Sequence, residues 1–179
     1  QDFTGDFPPE GWSELDPTGA WGKLFGSTAG GQSPEACFTH PIQSTDDVWR
    51  LQAGPLDSSG MSELELQWNN YYHDWGGEPV KATVKVQTSS DGSTWHETGW
   101  SHTSGNGNLG PGLEQLTITT SDVGSDTFYL GFTVEGDAFD VEYWYLDNVY
   151  LHYNPASTSY DNVLNWTLSA DDGVGDFDV

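Results

Sequence analysis

The chain has 179 residues, 4 Lys plus Arg against 28 Asp plus Glu, and a formal net charge of −24. So few cations exclude a nucleic-acid binder, which must displace counterions from phosphates, and exclude electrostatic docking on anionic lipid. Nine Trp, eight Tyr and eight Phe exclude a disordered chain, and no apolar run approaches the length of a membrane-spanning helix.

The length suits one domain, or one domain with a fragment of a second. Gln1 opens without an initiator Met or a signal-like segment, which reads as a mature or excised piece. Residues 1–45 are rich in breakers: Pro8-Pro9, Gly11, Asp16-Pro17, Gly30-Gly31, Pro34 and Pro41. Apolar islands lie between them at Phe3/Phe7, Trp12/Leu15, Trp21/Leu24/Phe25 and Ala36/Phe38. The pattern predicts short strands and long loops, with the aromatics anchoring the loops to a core. From Asp46 the period becomes two. Strands are predicted at Val48 to Gln52, at Leu64/Leu66/Trp68, and at Val80/Ala82/Val84/Val86, each with one dry and one wet face. Asp91-Gly92 signals a hairpin, with a return strand over Thr94 to Trp100. Further strands follow at Leu113/Leu116/Ile118, at Phe128/Leu130/Phe132/Val134, and in a long run from Val141 to Tyr153. In that last run Leu146 and Val149 are an odd number apart, so a bulge is predicted near Asp147-Asn148. Eight or so strands without helical periodicity predict an all-β, antiparallel two-sheet jelly-roll β-sandwich. Pro155 to Ser159 reads as a linker, followed by one strand at Leu164/Trp166/Leu168 and the sequon Asn165-Trp166-Thr167.

The acids are scattered evenly, which favours a solubility role in a salty or crowded exterior over one large cation site. Cys37 is alone, so there is no intrachain disulfide, and it reads as a small buried hydrophobe. His40, His73, His96, His102 and His152 lack ligand spacing and read as surface or strand residues. No G-x-S-x-G elbow or H-E-x-x-H appears, and no enzyme is expected. The stretch Asn69 to Gly77 gathers amides, a carboxylate and aromatics. It has two readings: a sugar site using Tyr71, Tyr72, Asp74 and Trp75, or aromatics (Tyr71, Tyr72 and Trp75) that anchor a long loop or end a strand.

Three motifs in order carry a resemblance. Asp2-Phe3 with Phe7-Pro8-Pro9-Glu10-Gly11-Trp12 opens the chain, Ser89-Ser90-Asp91-Gly92-Ser93-Thr94-Trp95 lies in its middle, and Trp144-Tyr145-Leu146-Asp147-Asn148-Val149 closes it. From Asp2 to Tyr153 the chain resembles MAM-like jelly rolls, in particular choice-of-anchor J and cleaved-adhesin domains. The tail, Leu164-Asn165-Trp166 with Ser169-Ala170-Asp171-Asp172, is similar to the start of a fibronectin type III repeat. The resemblance implies structural Ca²⁺ held between a closing-strand Asp, here Asp147, and an acid of the first strand. That first-strand position falls on Thr4, a departure for which Asp2 or Asp6 would substitute.

The expectation is therefore a jelly roll over 1–154, with 155–179 a linker and the truncated start of a following module. It would be a non-catalytic part of a secreted or cell-surface multidomain protein, acting in adhesion, in ligand binding or as a spacer. The alternative is a carbohydrate-binding module using exposed Trp and Tyr. Expected partners are a protein or glycan ligand and neighbouring domains, without nucleic acid or membrane insertion.

Overall fold

The computed structural model describes residues 1–41, 46–76 and 81–153. The expected linker, sequon and following module at 155–179 lie outside these residues, as does Val80.

Among the described residues ten strands form: β1 (Trp12–Leu15), β2 (Trp21–Leu24), β3 (Glu35–Thr39), β4 (Asp46–Leu56), β5 (Leu64–Asp74), β6 (Ala82–Ser89), β7 (His96–Thr103), β8 (Leu109–Ile118), β9 (Phe128–Asp137) and β10 (Val141–His152). A 3₁₀ turn, Ala138–Asp140, joins β9 to β10. They make two five-stranded sheets in the orders β1-β4-β9-β6-β7 and β2-β3-β10-β5-β8, antiparallel at every described pair. This is a jelly-roll β-sandwich.

Alternation sets which face is dry. In the first sheet Trp49, Leu51 and Ala53 of β4 stand opposite Val134, Phe132 and Leu130 of β9, and Val84 and Val86 of β6 stand opposite Val134 and Phe132. All are essentially unexposed. The second sheet answers with Phe38, Leu66, Trp68, Trp144 and Leu146. Trp144 meets Trp21, Trp100 and Phe132 with ring centroids 5.8, 6.1 and 6.0 Å away, so aromatic rings from both sheets fill the middle.

The parity break in β10 is real. Its register against β5 slips between Asp147 and Tyr150, and Asn148 takes φ 48°. The bulge lets Trp144 and Leu146 on one side of it, and Val149 and Leu151 on the other, all face inward. The Asp91-Gly92 turn is longer than the two-residue hairpin expected. β6 ends at Ser89 and β7 begins at His96. The Asp91 carboxylate accepts the N–H of Ser93 at 2.7 Å and of Thr94 at 2.6 Å, and these bonds hold it well below the usual carboxylate range. The loop so fixed lays Trp95 over the guanidinium of Arg50 at 4.0 Å. Arg50 Nε and Nη2 also donate to Thr133 and Gln87. Burial lowers the Arg50 pKa to about 10. The chain's single arginine thus braces the outer face of the first sheet.

Four N-terminal aromatic anchors are buried as expected: Phe3, Trp12, Trp21 and Phe38. Phe25 is exposed at 86%, because β2 stops at Leu24 and the chain turns off the sheet edge there; Leu15 and Leu24 are exposed too.

Candidate functional site

The strands that bury Trp68, Tyr72, Trp144 and Leu146 must aim their alternate residues outward. On β5 these are Tyr71 and His73; on β10 they are Tyr143 and Tyr145. The register sets Tyr71 opposite Tyr145 and His73 opposite Tyr143. Four rings therefore form a two-by-two array. Centroids are 6.0 Å apart for Tyr71–His73, 6.1 Å for Tyr71–Tyr145, 6.4 Å for His73–Tyr143 and 5.7 Å for Tyr143–Tyr145. Their planes lie within 32° of parallel at each of these contacts. His73 Nδ1 lies 2.7 Å from Glu142 Oε2, which fixes the imidazole in the array. All four rings are half-buried and keep surface open to solvent.

The next strand outward is β3, where Cys37 stands opposite Tyr145 and Thr39 opposite Tyr143. Beyond it, Gly22 of β2 stands opposite Cys37. These residues are small, so the surface drops from the tyrosines into a groove of about 540 Å³, lined in part by Gly22, Leu24, Cys37, Thr39, His40 and Pro41. Burial pushes the Cys37 thiol up to about 12 and raises the Tyr145 phenol above its ordinary range. At neutral pH both are uncharged. Cys37 is 1% exposed, as expected of a small buried hydrophobe.

The predicted ligand residues divide. Tyr71 is in the array. Tyr72 is not a contact residue: it points inward, is fully buried and packs on His102 at 4.8 Å. The correction follows from the stretch being strand through Asp74 rather than loop, so consecutive residues face opposite ways. Asp74 braces a loop, accepting the N–H of Gly105 at 2.9 Å and of Gly107 at 2.8 Å. Trp75 is half-exposed and packs on His40 at 5.4 Å and Phe139 at 5.7 Å, forming a ridge at one end of the groove. His73, Tyr143 and Tyr145 were missed. Their signal is present, since Tyr143 and Tyr145 hold the opposite parity to the apolar Trp144 and Leu146.

The expected metal residues also divide. Among the described residues no three His, Cys, Asp or Glu side chains are grouped to hold a metal ion. Asp6 is exposed, and Asp2 turns its carboxylate onto Thr4, accepting from the backbone N–H at 3.2 Å and the hydroxyl at 3.0 Å. Asp147 is fully buried at the bulge. Its Oδ2 accepts the N–H of Gln32 at 2.8 Å and its Oδ1 that of Asn148 at 2.7 Å. Glu35, also fully buried, accepts the N–H groups of Thr28 and Ala29 at 2.7 Å each. Two buried carboxylates thus clamp the loop that runs between them. Burial raises the Asp147 pKa to about 6 against those two bonds, with the charges of Glu35 and Asp2 adding to the rise.

No family model matches the chain, and no curated protein matches it. Solved structures do. One is a carbohydrate-binding module, TmCBM61, solved with β-1,4-galactotriose. The TM-score is 0.53 at 14% identity, covering 84% of this chain and 92% of that one. Another is the K1 cleaved adhesin domain of Lys-gingipain from Porphyromonas gingivalis W83. The TM-score is 0.55 at 16% identity, covering 82% and 92%. At these identities the likeness is one of fold. Among the described residues no helix is long and apolar enough to cross a membrane.

Proposed function

We propose that this chain is a non-catalytic, ligand-binding module of a secreted or cell-surface multidomain protein, and that its ligand is a glycan held on the outer face of the second sheet. The two-by-two ring array carries the reading. Sugar rings present C–H faces that pack on flat aromatic surfaces, and Tyr and His rings add polar tips for hydroxyl groups. Four half-exposed rings brought together from two strands, beside a groove, are more than the sandwich needs for stability. The galactotriose bound by one structural neighbour and the adhesin domain of another support a binding role for this fold.

In native gels containing neutral polysaccharides the protein is expected to be retarded. Tyr145→Ala and Tyr71→Ala should each weaken that binding at least tenfold, about 1.4 kcal/mol or more, with melting temperature nearly unchanged because both rings lie on the outer face. Retardation of both variants equal to wild type would remove the array from the site.

Asp147 supplies a separate test. Its folded pKa, about 6, lies above its unfolded value near 3.8. The folded state therefore holds the proton more tightly, and stability falls as pH rises from about 4 through about 6. In chelator the melting temperature should decline across that window, and Asp147→Asn should flatten the decline. A calcium ion at this edge would have to draw on backbone carbonyls and water beside Asp147. If one binds, excess calcium raises the melting temperature at pH 7.5 by several degrees over chelator. Equal melts leave Asp147 as a loop clamp alone.

A further inference from the structure

The outer face of the second sheet is not level, and the register shows why. Tyr71, Tyr145, Cys37 and Gly22 stand directly opposite one another across β5, β10, β3 and β2. His73, Tyr143 and Thr39 make a parallel row beside them. Each row runs from large rings to small side chains, so a ledge of aromatics gives way to a depression over β3 and β2. Both flanks are raised. On one side the loop clamped by Glu35 and Asp147 lies close over the sheet, with the Ala29 carbonyl accepting from Asn69 at 3.5 Å. On the other stand His40, Trp75 and Phe139, packed ring against ring. Four strands at ~4.8 Å spacing make a path roughly 14 Å long.

We propose that the groove over β2 and β3 is a second subsite for the same ligand, an uncharged glycan chain that runs across the strands. One part of the chain stacks on the tyrosine ledge, and the following units drop into the groove. This rests on the glycan reading of the ledge. Two observations fix the ligand's class. Among the described residues no Asp or Glu lines the groove; Lys23 lines it but its ammonium donates to the Gly5 carbonyl, and the remaining walls offer hydroxyl, backbone and apolar surface. The chain as a whole carries −24, so a polyanionic glycan is repelled within the Debye length of ~8 Å at physiological salt, while an uncharged chain is not.

Gly22 allows the subsite to be blocked without touching the ledge. A Cβ added there meets nothing within 4 Å, and the backbone is not in the left-handed region. Gly22→Phe should therefore fold and fill the groove; Gly22→Val is the smaller, stiffer companion. Titration calorimetry would use β-1,4-linked oligosaccharides of galactose, mannose, xylose and glucose, from disaccharide to hexasaccharide, with polygalacturonate as the charged arm. For a neutral series that binds, wild-type affinity should rise at least tenfold from disaccharide to pentasaccharide. The Gly22 variants should lose that rise, keep the disaccharide affinity and melt like wild type. Variants that keep the full rise, while Tyr145→Ala loses binding, would overturn the groove and leave the ledge standing. Polygalacturonate binding as tightly as the neutral chains would overturn the uncharged class. A wild-type protein that ignores every probe would overturn ledge and groove together.

Discussion

Gly31→Ala is expected to destabilise the protein by about 3 kcal/mol or more, lowering the melting temperature by ~6–12 °C for a chain of this size. A Cβ at position 31 would lie 1.8 Å from Asp147 Oδ2, 2.6 Å from its Cγ and 2.8 Å from Asn148 Nδ2. The two Asp147 atoms have no room to retreat, because Asp147 is fully buried and pinned on both oxygens. The loop has to lift instead. Lifting it breaks the Gln32 bond and leaves a carboxylate in a dry setting with half its donors, which is the expensive outcome. Gly5→Ala is the control: its Cβ meets nothing within 4 Å, and the change should stay within about 0.5 kcal/mol. Thermal melts of the two variants check the contrast. A Gly31→Ala protein that melts within two degrees of wild type would show that the loop is not clamped as described.

Asn70→Leu should cost roughly 2–5 kcal/mol despite the gain in apolarity. Asn70 is fully buried between the sheets. Its Oδ1 accepts the indole N–H of Trp144 at 2.8 Å and of Trp68 at 3.3 Å. Leucine has about the same volume but no acceptor, so both indoles lose their partner in the interior. Urea unfolding followed by tryptophan fluorescence would measure the loss. The diagnostic is the triple variant with Trp68→Phe and Trp144→Phe. Removing the stranded donors should make Asn70→Leu much cheaper in that background than in wild type. Equal costs in both backgrounds would mean that the amide serves packing rather than the two indoles.

Most of the sandwich was readable because alternation is a local signal. The runs at Leu64/Leu66/Trp68, Val84/Val86 and Phe128 to Val134 became β5, β6 and β9, and the parity break at Leu146 and Val149 marked the bulge. The stretch from Asn69 to Asp74 stayed divided between a loop and a strand end because it violates the rule on which alternation depends. Asn70, a polar residue, occupies a core position, and Tyr71 beside it is an aromatic on the outside. Polar-in and aromatic-out looks like a loop until the two indole N–H groups that need Asn70 are in place. The site was legible only in fragments. Tyr71 was named, and the outward parity of Tyr143 and Tyr145 was there to be read. What the chain does not carry locally is register: that Tyr145 lies beside Tyr71 on one side and Cys37 on the other depends on pairings of residues distant in sequence. The groove has the same origin, in the opposition of Gly22 and Cys37.

The N-terminal segment closes one border of each sheet: β1 alongside β4, and β2 alongside β3. Each is only four residues long. Short border strands give a neighbouring molecule little ladder to extend. Trimming the chain past Leu24 would strip both covers at once and lay bare the eleven-residue β4, whose alternating apolar residues make it a ready template for strand addition. A shortened version beginning after Leu24 is expected to aggregate more readily than the full chain, read by light scattering.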